Sequence, residues 1–78
     1  MALNRAVAVA EVDGPALALV LVDELALTRH HVFHAVRADL LRRVGRSAEA
    51  AEAYGTALSL TGNEPERAFL QRRLSSLG

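Results

Sequence analysis

The chain has 78 residues, enough for one small domain, and without cysteine it can form neither a disulfide nor a thiolate metal site. Its nine basic residues, all arginine, balance nine acidic ones, so the overall basic field typical of nucleic-acid binding is missing. The most apolar run, residues 16–22, is far shorter than the roughly 20 residues of a membrane span, and the N-terminus is unlike a signal peptide. We therefore expect a cytoplasmic protein, in which abundant alanine, leucine and valine favour helix packed on helix.

The charges are distributed unevenly along the chain. Residues 1–28 hold one arginine and four acidic residues, whereas residues 29–78 hold eight arginines and five acidic residues. The two parts therefore sum to −3 and +3. This dipole is compatible with a charged docking surface or with two solvated faces.

The first third of the chain predicts a pair of helices over residues 2–25. Helix formers continue from Met1 to Val12, until Asp13-Gly14-Pro15, where glycine can take a left-handed conformation and proline can begin a helix. Residues 15–25 could also form a buried strand. Their length, their initial proline and the lack of a partner strand favour a helix.

A third helix is predicted from Thr28, a candidate N-cap, to Val44. Its apolar residues recur at three- and four-residue steps in two neighbouring stripes, so we expect it to be packed from two sides. One stripe contains Phe33, Val36, Leu40 and Val44, and the other contains Ala38 and Leu41.

A fourth helix completes a second pair over residues 31–60. Gly45 ends the third helix, and Ser47 can cap the fourth, which reaches Leu60. One side of this helix is predicted to be apolar, with Ala50, Tyr54, Ala57 and Leu58.

A terminal helix is predicted over residues 64–77. Asn63 and Glu66 match a capping box, with Pro65 in the first turn. This helix buries Phe69 or Leu70 together with Leu74 and Leu77, and exposes Arg67, Arg72 and Arg73. The chain is thus predicted to be one all-α domain over residues 1–78. Its antiparallel pairs, with turn glycines 31 residues apart, indicate a short superhelix.

The second pair resembles a tetratricopeptide repeat. Aligned on Gly45, its small positions are Ala38, Ala50 and Ala57, and its large positions are Leu41 and Tyr54. This spacing would let the helices approach closely while the large residues fill the gap. The pattern departs from the repeat at three positions, where His34 replaces tryptophan, Arg37 replaces leucine and Gly62 replaces the closing proline.

A second resemblance covers nearly the whole chain through four separated motifs. They are LNRAVAVAE at 3–11, DGP at 13–15, FHA, RADLLRR and GR within 33–46, and NEPERAFL at 63–70. Together they resemble the C-terminal extension of a group of extracytoplasmic-function sigma factors, although His30 stands where tyrosine is expected. In that family a tetratricopeptide-like domain follows two sigma regions that bind RNA polymerase and the promoter.

The resemblance implies that the chain is a domain fragment which begins at an added Met1 and lacks sigma activity of its own. It would be an interaction or regulatory domain that supports transcription initiation by contacting its sigma regions, RNA polymerase or a regulator. The alternative is a free-standing helical-repeat adaptor that binds a peptide or protein partner in its groove. Self-association is also plausible, because solenoid ends are exposed.

The candidate interaction residues lie on the third helix and its turn and on the last helix. Val32, Ala35, Asp39, Arg42 and Arg43 fall on the face that lines the groove in the repeat alignment. The last helix could serve as a solubilising cap or bind a partner. The predicted protein-interaction set is Asp39, Arg42, Arg43, Arg46, Glu64, Glu66, Arg67, Phe69, Arg72 and Arg73.

The arginines near the end of the third helix could bind phosphate or carboxylate groups. Without interleaved aromatics or lysine, an acidic protein surface or intramolecular pairing is favoured over direct contact with nucleic acid.

The sequence predicts no catalytic centre, no cofactor and no metal. Its serines show no spacing typical of a triad, and there is no glycine-rich phosphate loop. His30, His31 and His34 could place two imidazoles on one helix face, but a metal site would need a third ligand. We expect instead a cluster at the helix start, with His34 packed in the seam of the repeat.

Overall fold

The computed structural model describes residues 2–77, with side chains from Arg5 onward. Five helices are joined by short turns, and this part of the chain contains no strand. The helices confirm the all-α prediction and the choice of helix over strand for residues 15–25. They are α1 (Ala2–Asp13), α2 (Pro15–Leu25), α3 (His31–Arg43), α4 (Ser47–Leu60) and α5 (Glu64–Ser76).

Each helix packs against the next, and α3 lies at the centre, in contact with α1, α2 and α4. The ion pair between Arg43 and Glu11 joins the C-terminal ends of α3 and α1, so these two helices run in the same direction on one face of the molecule. Arg37 on α3 binds Asp23 on α2 at 2.8 Å. This ion pair explains why arginine fits a position that is usually leucine in the repeat.

Small residues make this packing possible. Half of the buried apolar residues are alanine, which lets helix backbones approach closely. The repeat positions predicted to be buried are all at most 1% exposed, which confirms the predicted interlock of α3 and α4. These positions are Ala38, Leu41, Ala50, Tyr54 and Ala57, and the structure adds Ala53, which the repeat pattern does not include.

Both turn glycines have positive φ, but they differ in conformation. Gly45 has φ 84°, and its amide donates to Arg42 O at 3.1 Å while the Arg46 amide donates to Leu41 O at 2.9 Å. These two bonds end α3 in the manner predicted for a glycine C-cap. Gly14 has φ 96° and ψ 158°, so its backbone is extended and not the left-handed helical form that we had expected. Glycine alone adopts this region readily.

Two predicted helix caps are wrong. Ala26 has φ 50°, and the chain turns again before α3, so His30 and not Thr28 precedes the first helical residue. Ser47 already lies inside α4, because the turn at Gly45 leaves Arg46 as the residue before the helix. Arg46 instead binds Glu49 through two hydrogen bonds of 2.8 and 2.6 Å.

The start of α5 forms only half of the predicted capping box. Asn63 Oδ1 accepts a hydrogen bond from the Glu66 amide at 3.0 Å, as expected. The return bond is absent, because the Glu66 carboxylate lies 3.1 Å from His31 Nε2 on α3 and the Asn63 amide donates to Thr61 Oγ1. On the buried side of α5 the structure selects Leu70 and not Phe69, with Leu74 and Leu77 partly buried.

Candidate protein-docking surface

A cleft of about 190 Å³ lies between α1 and α3, on the face that these parallel helices share. Val7 and Ala10 of α1 are one helical turn apart and form one wall. The lining from α3 recurs at three- and four-residue steps and therefore forms a single face. It consists of Ala35, Val36, Asp39, Leu40 and Arg43. We call this depression the α1/α3 cleft.

The charged groups of the α1/α3 cleft are already oriented by neighbours. Arg43 Nη1 lies 3.6 Å from Glu11 Oε1, across the cleft at the ends of the two helices. Asp39 accepts a hydrogen bond of 2.5 Å from Arg42 one turn along α3. The cleft thus has an apolar centre and a rim that carries both signs of charge.

Arg42 turns away from the cleft toward α4. The hydrogen bond with Asp39, followed by the approach to Tyr54, raises the pKa of Arg42 above its usual value. Arg42 Nε and the Tyr54 hydroxyl are both buried, and neither has a partner with hydrogen-bond geometry among the described residues. The hydrogen bond that holds Arg42 is therefore the one with Asp39 on its own helix.

The structure brings together only part of the groove face predicted from the repeat alignment. Ala35, Asp39 and Arg43 line the α1/α3 cleft, whereas Val32 and Arg42 do not. The groove face predicted from the repeat alignment contains no residue of α1. The three-residue step from Val7 to Ala10 was the signal that could have indicated this wall, but it needed the position of α1 beside α3.

Arg46 belongs to the α3–α4 turn and lies outside the cleft lining. Its hydrogen bonds with Glu49 lower the pKa of that carboxyl and raise the pKa of Arg46 itself. The pair is exposed, and it connects the α3–α4 turn to the first turn of α4.

On α5 the predicted interaction residues have two different roles. Arg67 Nη1 donates to Leu58 O at 2.5 Å, at the end of α4, and Glu66 binds His31, so both attach α5 to the rest of the fold. Phe69 is 40% exposed, with the Arg73 guanidinium carbon 5.2 Å from its ring centroid. Arg72 and Glu64 are also exposed.

Two of the histidines considered as metal ligands, His31 and His34, contact different groups. His31 faces Glu66, while His34 Nε2 lies 2.8 Å from Thr28 O and its ring meets Phe33 edge-on at 5.0 Å. Half-buried His34 therefore packs at the start of α3. Within residues 2–77 no three His, Cys, Asp or Glu side chains are placed to hold a metal ion together.

None of the helices in the described part of the chain has both the length and the apolar character needed to cross a membrane.

Comparison with known proteins finds one similarity and no established family. A protein of Rhizobium meliloti (strain 1021), described as uncharacterized, is 39% identical over 77 residues, which cover 96% of this chain. The same alignment covers 18% of the relative, so the chain spans less than a fifth of that protein's length. No protein-family model and no solved structure matches the chain.

Proposed function

We propose that the chain is the C-terminal interaction domain of an alternative sigma factor of the extracytoplasmic-function class. In this proposal it acts in the cytoplasm and supports transcription initiation through contacts with its sigma regions, RNA polymerase or a regulator. The α1/α3 cleft is the observation that supports a binding role. The four sequence motifs support the assignment to a sigma factor.

The cleft has the chemistry of a protein-docking site. Protein interfaces combine apolar with charged side chains, and here Val7, Ala10 and Val36 line the same cleft as Asp39 and Arg43, which pairs with Glu11. Because the rim charges are already oriented, a partner would meet a surface that needs little reorganisation.

The hydroxyl groups also favour binding over catalysis. Ser59 and Ser76 donate to backbone carbonyls of their own helices at 2.7 Å, which is local capping chemistry and not activation by a base. We therefore propose a protein that is not an enzyme.

The relative is compatible with an appended domain. In that protein the similar stretch makes up 18% of a much longer chain, which leaves room for other regions. A sigma factor with a C-terminal extension would have this organisation.

In vitro transcription by the full-length protein with its RNA polymerase tests the cleft. Val7→Glu places a charge in the α1/α3 cleft at a side chain that is 45% exposed, so folding should be retained. We expect transcription to fall roughly tenfold, as for a residue at an interface centre. Ala8→Glu, exposed on the same helix and outside the cleft, is the matched control. Equal activity of the two variants would contradict the role of the cleft.

The terminal helix provides a second test in the same assay. Removing residues 63–78 takes away the exposed surface of Phe69, Arg72 and Arg73 and the attachment through Arg67. We expect transcription to be abolished while the sigma regions stay folded, as circular dichroism and promoter binding would show. Full activity of the truncated protein would reject the proposal for α5.

The α1/α3 cleft also favours a second candidate function, a free-standing adaptor that binds a peptide. The gene sequence upstream of Met1 distinguishes the two functions, because a sigma-factor domain requires a reading frame that continues upstream into sigma regions. A frame that begins at Met1 would favour the adaptor.

A further inference from the structure

The α1–α2 pair has a second cleft, on a side that α3 does not line. This end cleft, about 340 Å³, lies between the two helices and is lined by side chains of α1 and α2 alone. Ala6 and Val9 of α1 and Leu21 and Leu25 of α2 make it apolar. The two charged residues of its lining are Arg5 on the α1 wall and Glu24 on the α2 wall.

The apolar surface continues beyond the end cleft. Leu17 lies one turn before Leu21 on α2 and is 49% exposed, and its neighbour Val20 is 53% exposed. Among the described residues, α1 and α2 pack on α3 and α5 packs on α4, whereas no other helix packs on this side of the α1–α2 pair. Apolar side chains that lie together on the surface in this way make a candidate interaction site.

We propose that a second copy of this chain covers the end cleft, so that the α1–α2 pairs of two copies pack face to face as a symmetric four-helix bundle. In a twofold interface the same surface of each copy contacts the other copy, so this surface must be complementary to itself. The apolar part of the end cleft satisfies this condition by itself. The placement of Arg5 and Glu24 makes the pairing of two copies specific.

Arg5 and Glu24 lie at the same end of the pair, because the antiparallel arrangement brings the start of α1 beside the end of α2. A twofold axis parallel to the helices places α1 of one copy on α2 of the other. Arg5 of each copy then faces Glu24 of its partner, which gives two equivalent ion pairs. Neither side chain has an ion-pair partner among the side chains from Arg5 to Leu77.

This charge placement favours a second copy over an unrelated basic helix. A cationic helix would pair with Glu24 but would bring like charge to Arg5 on the opposite wall. A copy of the same surface pairs both groups at once.

Sedimentation velocity of the 78-residue chain over a concentration series tests the dimer. Arg5→Glu and Glu24→Arg should each weaken dimerisation roughly tenfold, because each replaces two attractive contacts with two repulsive ones. Both changes suit the helix dipole at their positions, so the variants should fold. The double variant should restore the dimer.

Mixing provides the decisive arm of this experiment. The Arg5→Glu chain carries two acidic walls and the Glu24→Arg chain two basic ones, so their mixture should form a heterodimer tighter than either homodimer. Glu52→Arg on α4, exposed and outside the end cleft, is the control and should leave dimerisation unchanged. A chain that stays monomeric at every concentration, a dimer that ignores the swaps, or a mixture without preference would overturn the proposal.

Discussion

The two helix pairs use the same construction but bury their side chains differently. α3 and α4 contribute Phe33, Leu40, Leu41 and Tyr54 to the core together with four alanines, whereas α1 and α2 contribute Leu19 and Val22 together with three alanines. Four of the seven large apolar residues exposed among the described side chains belong to α1 and α2. The α3–α4 pair serves as the scaffold and supplies one wall of the α1/α3 cleft, whereas the α1–α2 pair has a side on which no other described helix packs and which is available as an interface.

Core truncation should give the largest difference between the two pairs. Leu41 of α3 is fully buried, so Leu41→Ala removes apolar burial and leaves a cavity, which should lower the free energy of unfolding by about 3 kcal/mol. Leu17→Ala in α2, at a half-exposed position, should cost less than about 1 kcal/mol. Urea denaturation followed by circular dichroism measures both values.

Similar losses for Leu41→Ala and Leu17→Ala would contradict the assignment of scaffold and interface. A matched comparison within the scaffold uses Leu60→Ala on α4, which is 43% exposed and should also cost less than about 1 kcal/mol.

The turn glycines should give the next largest difference. A Cβ added at Gly14 or Gly45 meets no atom within 4 Å, so the cost of alanine is purely conformational. Gly14→Ala should destabilise by about 2 kcal/mol, because φ 96° with ψ 158° is nearly closed to other residues. Gly45→Ala, at φ 84° in a helix C-cap, should cost about 1 kcal/mol.

The control for the glycine series is Gly55→Ala, inside α4 and also with open space around the new Cβ. It should stabilise the protein by about 0.5–1 kcal/mol, because alanine is the better helix former. If thermal denaturation ranked Gly45→Ala below Gly14→Ala in stability, the distinction between the two turns would be wrong.

The smallest effect concerns acid stability at the α3–α4 turn. Hydrogen bonds from Arg46 hold the pKa of Glu49 below its usual 4.5. A lowered carboxyl pKa stabilises the folded protein above pH 4.5, and this contribution is lost as the pH falls through the lowered value. Glu49→Gln should therefore reduce the fall in Tm on acidification, while Glu52→Gln, exposed on the same helix, should not. Identical acid profiles for the two variants would contradict this role of the pair.

The sequence predicted the helices well because their signals are local. Pro15, Gly45 and the stripes of α3 act within one or two turns, and the structure places helix ends beside them. The caps predicted at Thr28 and Ser47 were wrong because neighbouring turns determine the backbone conformation there. The positive φ at Ala26 precedes Thr28, and the two hydrogen bonds from Gly45 and Arg46 precede Ser47.

The candidate site depended on information that no local pattern contains. The pairing of Glu66 with His31 and the wall formed by Val7 each join helices that are distant in sequence, and the bond from Arg67 reaches back to the end of α4. They follow from how the pairs stack, which periodicity does not determine. The buried small residues of α3 and α4 were predictable because the repeat pattern describes one pair and its internal contacts.

Hydrogen exchange at two protein concentrations tests the division into scaffold and interface most directly. Amides of α3 and α4 should be the slowest to exchange, and their rates should not depend on concentration, because their stability comes from the buried Leu41 and Tyr54. Amides of α1 and α2 should exchange faster at low concentration and become more protected at high concentration, as a second copy covers the end cleft. Uniform protection across all helices, unchanged by concentration, would contradict the account.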